Sequence, residues 1–140
     1  MRDIKFRGKR VDNGEWVYGS LAYIESRAFI FPDDAYVTRF QHGADDLLVI
    51  LSPIEVLPKT VGQFTGLLDK NSVEIYEGDV VTCEDFNTMN YSVLFQGGAF
   101  GYVNRYGGLE WLWIDDETGA SDLEVIGNIH DNPDFLKGKE

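Results

Sequence analysis

Ile4 and Phe6 fall on alternate positions, a polar stretch with Asp12, Asn13 and Gly14 follows, and Trp16, Tyr18 and a strand-like run to Ile24 resume the apolar pattern. Period-two spacing is that of a half-covered strand, and Asn-Gly between two such runs signals a hairpin. Past the polar turn Glu25-Ser26-Arg27, the short run AFIF predicts a strand that stops at Pro32. Residues 33–46 are polar with mixed periodicity and read as an exposed, mobile excursion, whereas LLVIL at 47–51 reads as a buried strand. Pro53 and Pro58 bracket a connector that separates an N-terminal β part, 1–58, from the remainder, 59–140.

In the second part TVGQFTGLLD predicts a strand that turns at Asp69 to Ser72, and VEIYEGDVVTCED predicts another, with Val80 and Cys83 on opposite faces. NYSVLF, the turn QGGA and FGYVN form a second hairpin pattern. LEWLWI at 109–114 suits a strand partly covered on both faces, and LEVIGNI closes the series. Asn132 before Pro133 fits an N-cap followed by proline at the first helical position, so DNPDFL predicts one helical turn. Short strands separated by turns over 59–130 predict a small barrel. The expected class is mainly β, all-β or a β-rich α+β fold.

Composition narrows the function classes. At 140 residues and 44% hydrophobic content the chain can fill one domain, or two small ones. No apolar run approaches the length of a membrane span and no apolar stretch follows the basic N-terminus, so a soluble cytoplasmic protein is expected. One cysteine, Cys83, excludes an internal disulfide framework or a cysteine-rich zinc site, and reads as a small buried hydrophobe. Twelve cations against 24 acids give a net charge of −12, which repels nucleic-acid phosphate. The charge is lopsided: Arg2, Lys5, Arg7, Lys9 and Arg10 crowd the start, while residues 109–140 hold nine acids and only two cations, Lys137 and Lys139.

Four carboxylates, Asp69, Glu74, Glu77 and Asp79, stand close together in DKNSVEIYEGDVV. An EF-hand-type calcium loop starting at Asp69 would find Asn71 at its third position, but Val73, Glu74 and Val80 stand at the fifth, sixth and twelfth, where ligands and a glycine are required. A carboxylate pair for acid–base catalysis needs a cleft that sequence does not reveal. Turn chemistry accounts for every residue type in the stretch, with Gly78 permitting a bend or bulge before Asp79. The histidines are His42 in the excursion and His130 after the last strand, and neither lies in a nucleophile motif; a Cys83–His130 pairing is the remaining nucleophilic arrangement. QGGAFG lacks the lysine and spacing of a phosphate loop, leaving Gly97 and Gly98 as turn residues. Trp16, Tyr18, Tyr23, Phe95, Tyr102, Trp111 and Trp113 invite a base-stacking reading, but the acidity around Trp111 and Trp113 argues for core filling or a protein interface. No catalytic, metal or cofactor set is expected.

QFTGLLDKNSVEIYEGDVV, residues 63–81, resembles the signature of the YopX family of bacteriophage and prophage proteins, Q-[YF]-T-G-L-x-D-K-N-G-x-x-I-[YF]-E-G-D-[IV]-V. MRDIKFRGKR resembles the family's opening, and LEVIGNIHDNPDFL its closing segment with I-G-N-I-[YH]-[ED]-N-P. Residues 33–58 carry no family pattern. Ser72 stands where the family usually has glycine, which puts the turn geometry in question, because a positive φ is harder for serine. The resemblance implies an SH3-like barrel in the C-terminal part and a protein of the bacterial cytoplasm in an infected or lysogenic host. It implies no catalytic residues.

The expected function is a non-catalytic module binding an unidentified host or phage protein through the barrel and the 33–46 excursion, with no direct nucleic-acid or membrane contact. Two alternatives stand beside it. One is a polyanion decoy of a DNA-binding protein, built on Asp115, Asp116, Glu117, Asp122, Glu124, Asp131 and Asp134. The other is an enzyme with an unrecognised site around Asp69, Glu77 and Asp79 or around Cys83 and His130. Open strand edges also permit homo-oligomers.

Overall fold

The computed structural model describes residues 3–33, 37–43, 45–50, 53–82, 90–104, 106–107, 109–111 and 123–137, with the backbone alone for 37–42, 45–50, 109–111 and 137. Among the described residues all regular structure is β-strand apart from two short 3₁₀ turns, Pro58–Thr60 and Pro133–Lys137, so the mainly-β expectation holds. The chain divides into two compact units, Lys5–Val61 and Gly62–Glu140 with Met1–Ile4.

In the first unit β1 (Phe6–Lys9) and β2 (Trp16–Ile24) form the predicted hairpin, with Lys9 opposite Trp16 and Gly14 at φ 74° in the connection. Strand β3 (Arg27–Pro32) returns antiparallel to β2. The stretch read as an exposed excursion contains paired backbone. Its backbone forms β4 (Val37–His42) and β5 (Asp45–Ile50), paired from Val37↔Ile50 to His42↔Asp45 across Gly43 at φ 65°. The strand read at 47–51 overlaps β5, while mixed periodicity in the sequence hid β4 and the pairing between them. Strand β6 (Ile54–Val56) then pairs with β3, giving the strand order β6-β3-β2-β1. Ala28, Ile30 and Val56 are fully buried on one face of this sheet, joined by Phe6, Val17, Leu21 and Val61.

In the second unit β7 (Gly62–Leu68) and β8 (Glu74–Tyr76) form a hairpin around the turn at Asp69 to Ser72. What reads as one strand, VEIYEGDVVTC, breaks at Gly78 (φ 92°), and β9 (Asp79–Thr82) starts a new direction. β10 (Asn90–Gln96) and β11 (Ala99–Asn104) close over Gly97 and Gly98, at φ 62° and 85°; two successive positive φ values make the tight turn that matches strand twist. With β12 (Leu109–Trp111) and β13 (Glu124–Asn128) the sheet order is β12-β11-β10-β9-β13. This sheet is open among the described residues: its end strands β12 and β13 do not pair with each other, so the closed SH3-like barrel is not seen. Leu67, Ile75, Val81, Tyr91, Val93 and Leu123 form the buried core, flanked by Tyr102 and Val125. Among the described residues no helix is long and apolar enough to cross a membrane.

Candidate functional site

The signature stretch is built from side chains that serve the backbone. Thr65, 6% exposed, sits where β7 and β8 slip register between Phe64↔Tyr76 and Leu68↔Glu74. Its hydroxyl donates to the Ile75 carbonyl at 2.8 Å and accepts from the Leu67 amide at 3.2 Å, satisfying main-chain groups that the bulge frees. Gly66 beside it takes φ 87°, a region costly for any residue with a Cβ.

Asp69 is 1% exposed and accepts three main-chain hydrogen bonds. Its Oδ1 receives the amides of Asn71 (2.8 Å) and Val73 (2.9 Å), and its Oδ2 receives the Val125 amide at 2.9 Å. The carboxylate therefore shapes the turn and fastens it to β13, helped by the Lys70 amide donating to the Leu123 carbonyl at 2.9 Å. Ser72 adopts φ 64° in this turn, the conformation for which glycine is suited.

Asp79, 2% exposed, accepts the Tyr76 amide at 2.7 Å and so closes the bend around Glu77 and Gly78. Gly78 is held on both sides: its amide donates to the Val93 carbonyl (2.8 Å) and its carbonyl accepts from the Ile129 amide (2.9 Å). Half-buried Glu77 exchanges contacts with Gln63, whose carbonyl accepts the Glu77 amide at 2.9 Å. Thus Asp69 and Asp79 are each bound to main-chain amides. Among the described residues no group of three or more His, Cys, Asp or Glu side chains is placed to hold a metal ion.

Cys83 lies outside the described residues, so its pairing with His130 is not described; the His130 amide donates to Asn128 Oδ1 at 3.0 Å. Asn128 Oδ1 also receives the Asp131 amide at 2.8 Å, forming the turn after β13. Pro133 opens a short 3₁₀ turn directly after Asn132 as expected, with the Phe135 amide donating to the Asn132 carbonyl at 3.0 Å, but the Asn132 side chain faces back toward β13, its Oδ1 accepting the Asn128 amide at 3.3 Å. Of the acidic set, Asp115, Asp116, Glu117 and Asp122 lie outside the described residues; Glu124 pairs with Lys70 at 3.5 Å, and Asp131 and Asp134 are exposed. Only the backbone of His42 and Trp111 is described, and Trp113 is outside. Tyr102 packs edge-on against Tyr91 with ring centroids 5.0 Å apart, and Phe95 packs edge-on against Phe100 at 4.9 Å.

Sequence reasoning missed a second surface, because it appears only when registers are known. Cross-strand partners share a sheet face, and the pairs Arg7↔Tyr18, Lys9↔Trp16, Ser20↔Phe31, Ala22↔Phe29, Ile24↔Arg27 and Phe29↔Glu55 place these residues opposite the buried cluster of Ala28, Ile30 and Val56. Arg7 lies 4.6 Å and Lys9 5.6 Å from the Trp16 ring centroid, and Arg27 lies 5.4 Å from that of Phe29. Arg27 also binds Glu55. Tyr18 is 44% and Ile24 55% exposed, whereas Arg7 is buried at 6%.

Comparison with known proteins agrees with the sequence resemblance. The YopX protein family matches residues 5–137. The crystal structure of protein EF1440 from Enterococcus faecalis is similar with a TM-score of 0.63 at 22% identity, covering 97% of this chain and 99% of that one, a likeness of fold alone. No curated protein matches the sequence.

Proposed function

The chain belongs to the YopX family, and on that footing we propose that it is a non-catalytic phage or prophage module that binds a host or phage protein in the bacterial cytoplasm. The observation that carries this reading is the β4–β5 ribbon, whose two strands pair only with each other among the described residues. A two-stranded ribbon keeps an open hydrogen-bonding edge on each strand, and an open edge is a template for a strand of another protein. The commitment of Asp69 and Asp79 to main-chain amides supports the non-catalytic half of the proposal.

The test is affinity capture from bacterial lysate, at low and high salt, with tags at either end. It is run beside a variant in which residues 37–50 are replaced by a short Gly-Ser turn. Ile30 and Ile54 are register partners, so a short connection can rejoin β3 to β6. A partner kept at high salt and lost with the ribbon supports the proposal. No partner above background with either tag overturns it, and a DNA-binding enzyme released by salt favours the decoy reading instead.

A further inference from the structure

The connection between β1 and β2 carries a reactive pair of residues that the fold leaves open. Asn13 is the one asparagine in the chain followed by glycine. Both residues are exposed, Gly14 takes φ 74°, and nothing lies within 4 Å of the place a Cβ would occupy on it. The Asn13 side chain folds over the next peptide, because its Oδ1 accepts the Glu15 amide at 2.9 Å. That hydrogen bond closes an Asx turn, a ring that contains both the Asn13 Cγ and the Gly14 nitrogen. From this geometry we infer that Asn13 is a site of self-modification, at which the chain converts its own asparagine to aspartate and isoaspartate through a cyclic imide.

In this step the Gly14 nitrogen bonds to the Asn13 Cγ, the bond from Cγ to the side-chain nitrogen breaks, and ammonia leaves with the proton that the Gly14 amide gives up. Water then opens the imide at either of its carbonyls, giving aspartate or isoaspartate. Three features of the turn favour the attack. Gly14 has no Cβ to crowd the approach to its nitrogen. The Glu15 amide points at Oδ1, the oxygen on which negative charge develops, and so stabilises the tetrahedral intermediate. The Gly14 proton is held by the Arg10 carbonyl at 3.1 Å in a turn whose residues 11–15 are exposed, where hydroxide can reach it. By contrast, Ser72 after Asn71 brings a Cβ, and Pro133 after Asn132 has no amide proton to lose. The product places a carboxylate between Asp12 and Glu15, and isoaspartate also lengthens the main chain inside the turn. Arg10 closes this turn by donating its amide to the Glu15 carbonyl at 2.9 Å, and it bridges Val56 on β6. Conversion therefore loosens the β1–β2 hairpin and its seam with β6. This inference is independent of the ribbon and its partner.

Incubating the full chain at about pH 7 and about pH 9, in native buffer and in urea, tests it, with peptide mapping by mass spectrometry to place each conversion. Asn13 should convert before any other asparagine, at a rate that rises with hydroxide concentration, and isoaspartate should exceed aspartate in the product. The rate in native buffer should stay within tenfold of that in urea, because the folded turn leaves the pair open. Gly14→Ala should slow conversion at least tenfold, and Asn13→Gln should remove it at this position. Protein aged to full conversion should melt at a lower temperature than fresh protein, whereas aged Asn13→Gln should not. Near-UV circular dichroism reports the fold of each variant, and if Gly14→Ala does not fold, the comparison of native buffer with urea decides. Native protection beyond tenfold overturns the inference, as does first conversion at another asparagine. Aspartate without isoaspartate overturns the imide route, and an unchanged melting temperature after full conversion overturns the loosening of the hairpin.

Discussion

Replacing Asp69 gives the sharpest measure of whether the signature stretch is scaffold. Its carboxylate accepts amides from Asn71, Val73 and Val125 at 2.8, 2.9 and 2.9 Å while only 1% of the residue is exposed. In Asp69→Ala, water can reach the amides of the exposed residues Asn71 and Val73 at the outer side of the turn. Those two losses cost about 0.5–1.5 kcal/mol each, while the Val125 amide loses its acceptor within the sheet, at about 1–3 kcal/mol. The expected total is about 2–6 kcal/mol, a large share of the 5–15 kcal/mol typical of a domain. Asp69→Asn keeps one oxygen for two amides but sets an NH2 group against the third, so about 2–3 kcal/mol is expected. Urea unfolding followed by tryptophan fluorescence and circular dichroism gives the free energies. Hydrogen exchange at Asn71, Val73 and Val125 locates them. A loss below about 1 kcal/mol for Asp69→Ala with unchanged urea dependence would refute the scaffold argument.

Ser72→Gly should raise stability by about 0.5–1 kcal/mol, since relief of φ 64° outweighs the extra freedom of glycine in the unfolded chain; a lower urea midpoint would count against it. Gly127→Ala should destabilise by about 2 kcal/mol or more, because a Cβ there would stand 2.4 Å from Asn132 Oδ1 and 2.9 Å from the Phe135 ring. Gly62→Ala should cost at least as much, its Cβ falling 2.3 Å from the Glu77 backbone carbonyl, which cannot rotate away; thermal melting checks both. Ile75→Ala should cost about 2–5 kcal/mol from a fully buried site in the C-terminal core. Side-chain carboxyl titration by NMR should find Glu55 and Asp12 below their ordinary values, through hydrogen bonds from Arg27 and Arg10. A lowered folded value means that each pair's stabilisation is present above the unfolded pKa and is lost as pH falls through the folded one. Ordinary values for both would refute the pairing.

The sequence by itself determined the local chemistry. Asn13-Gly14 and Gly97-Gly98 announced hairpins because few residues accept positive φ in tight turns, and the signature at 63–81 announced both the family and a turn at Asp69 to Ser72. Gly78 likewise announced its bend. The tertiary structure alone decided what depends on register and on partners distant in sequence. That Asp69 binds Val125, 56 residues away, could not be read from the residues around either one. Nor could the bulge that Thr65 satisfies, because a bulge is defined against the opposite strand. Strand β4 and its pairing with β5 escaped period-two reading, and the open five-stranded sheet escaped the barrel expectation, because strand count and spacing do not specify which edges meet. The contacts of Arg7 with Trp16 and of Arg27 with Phe29 emerged for the same reason: these residues are scattered along the chain, and only cross-strand pairing gathers them on one side of a sheet.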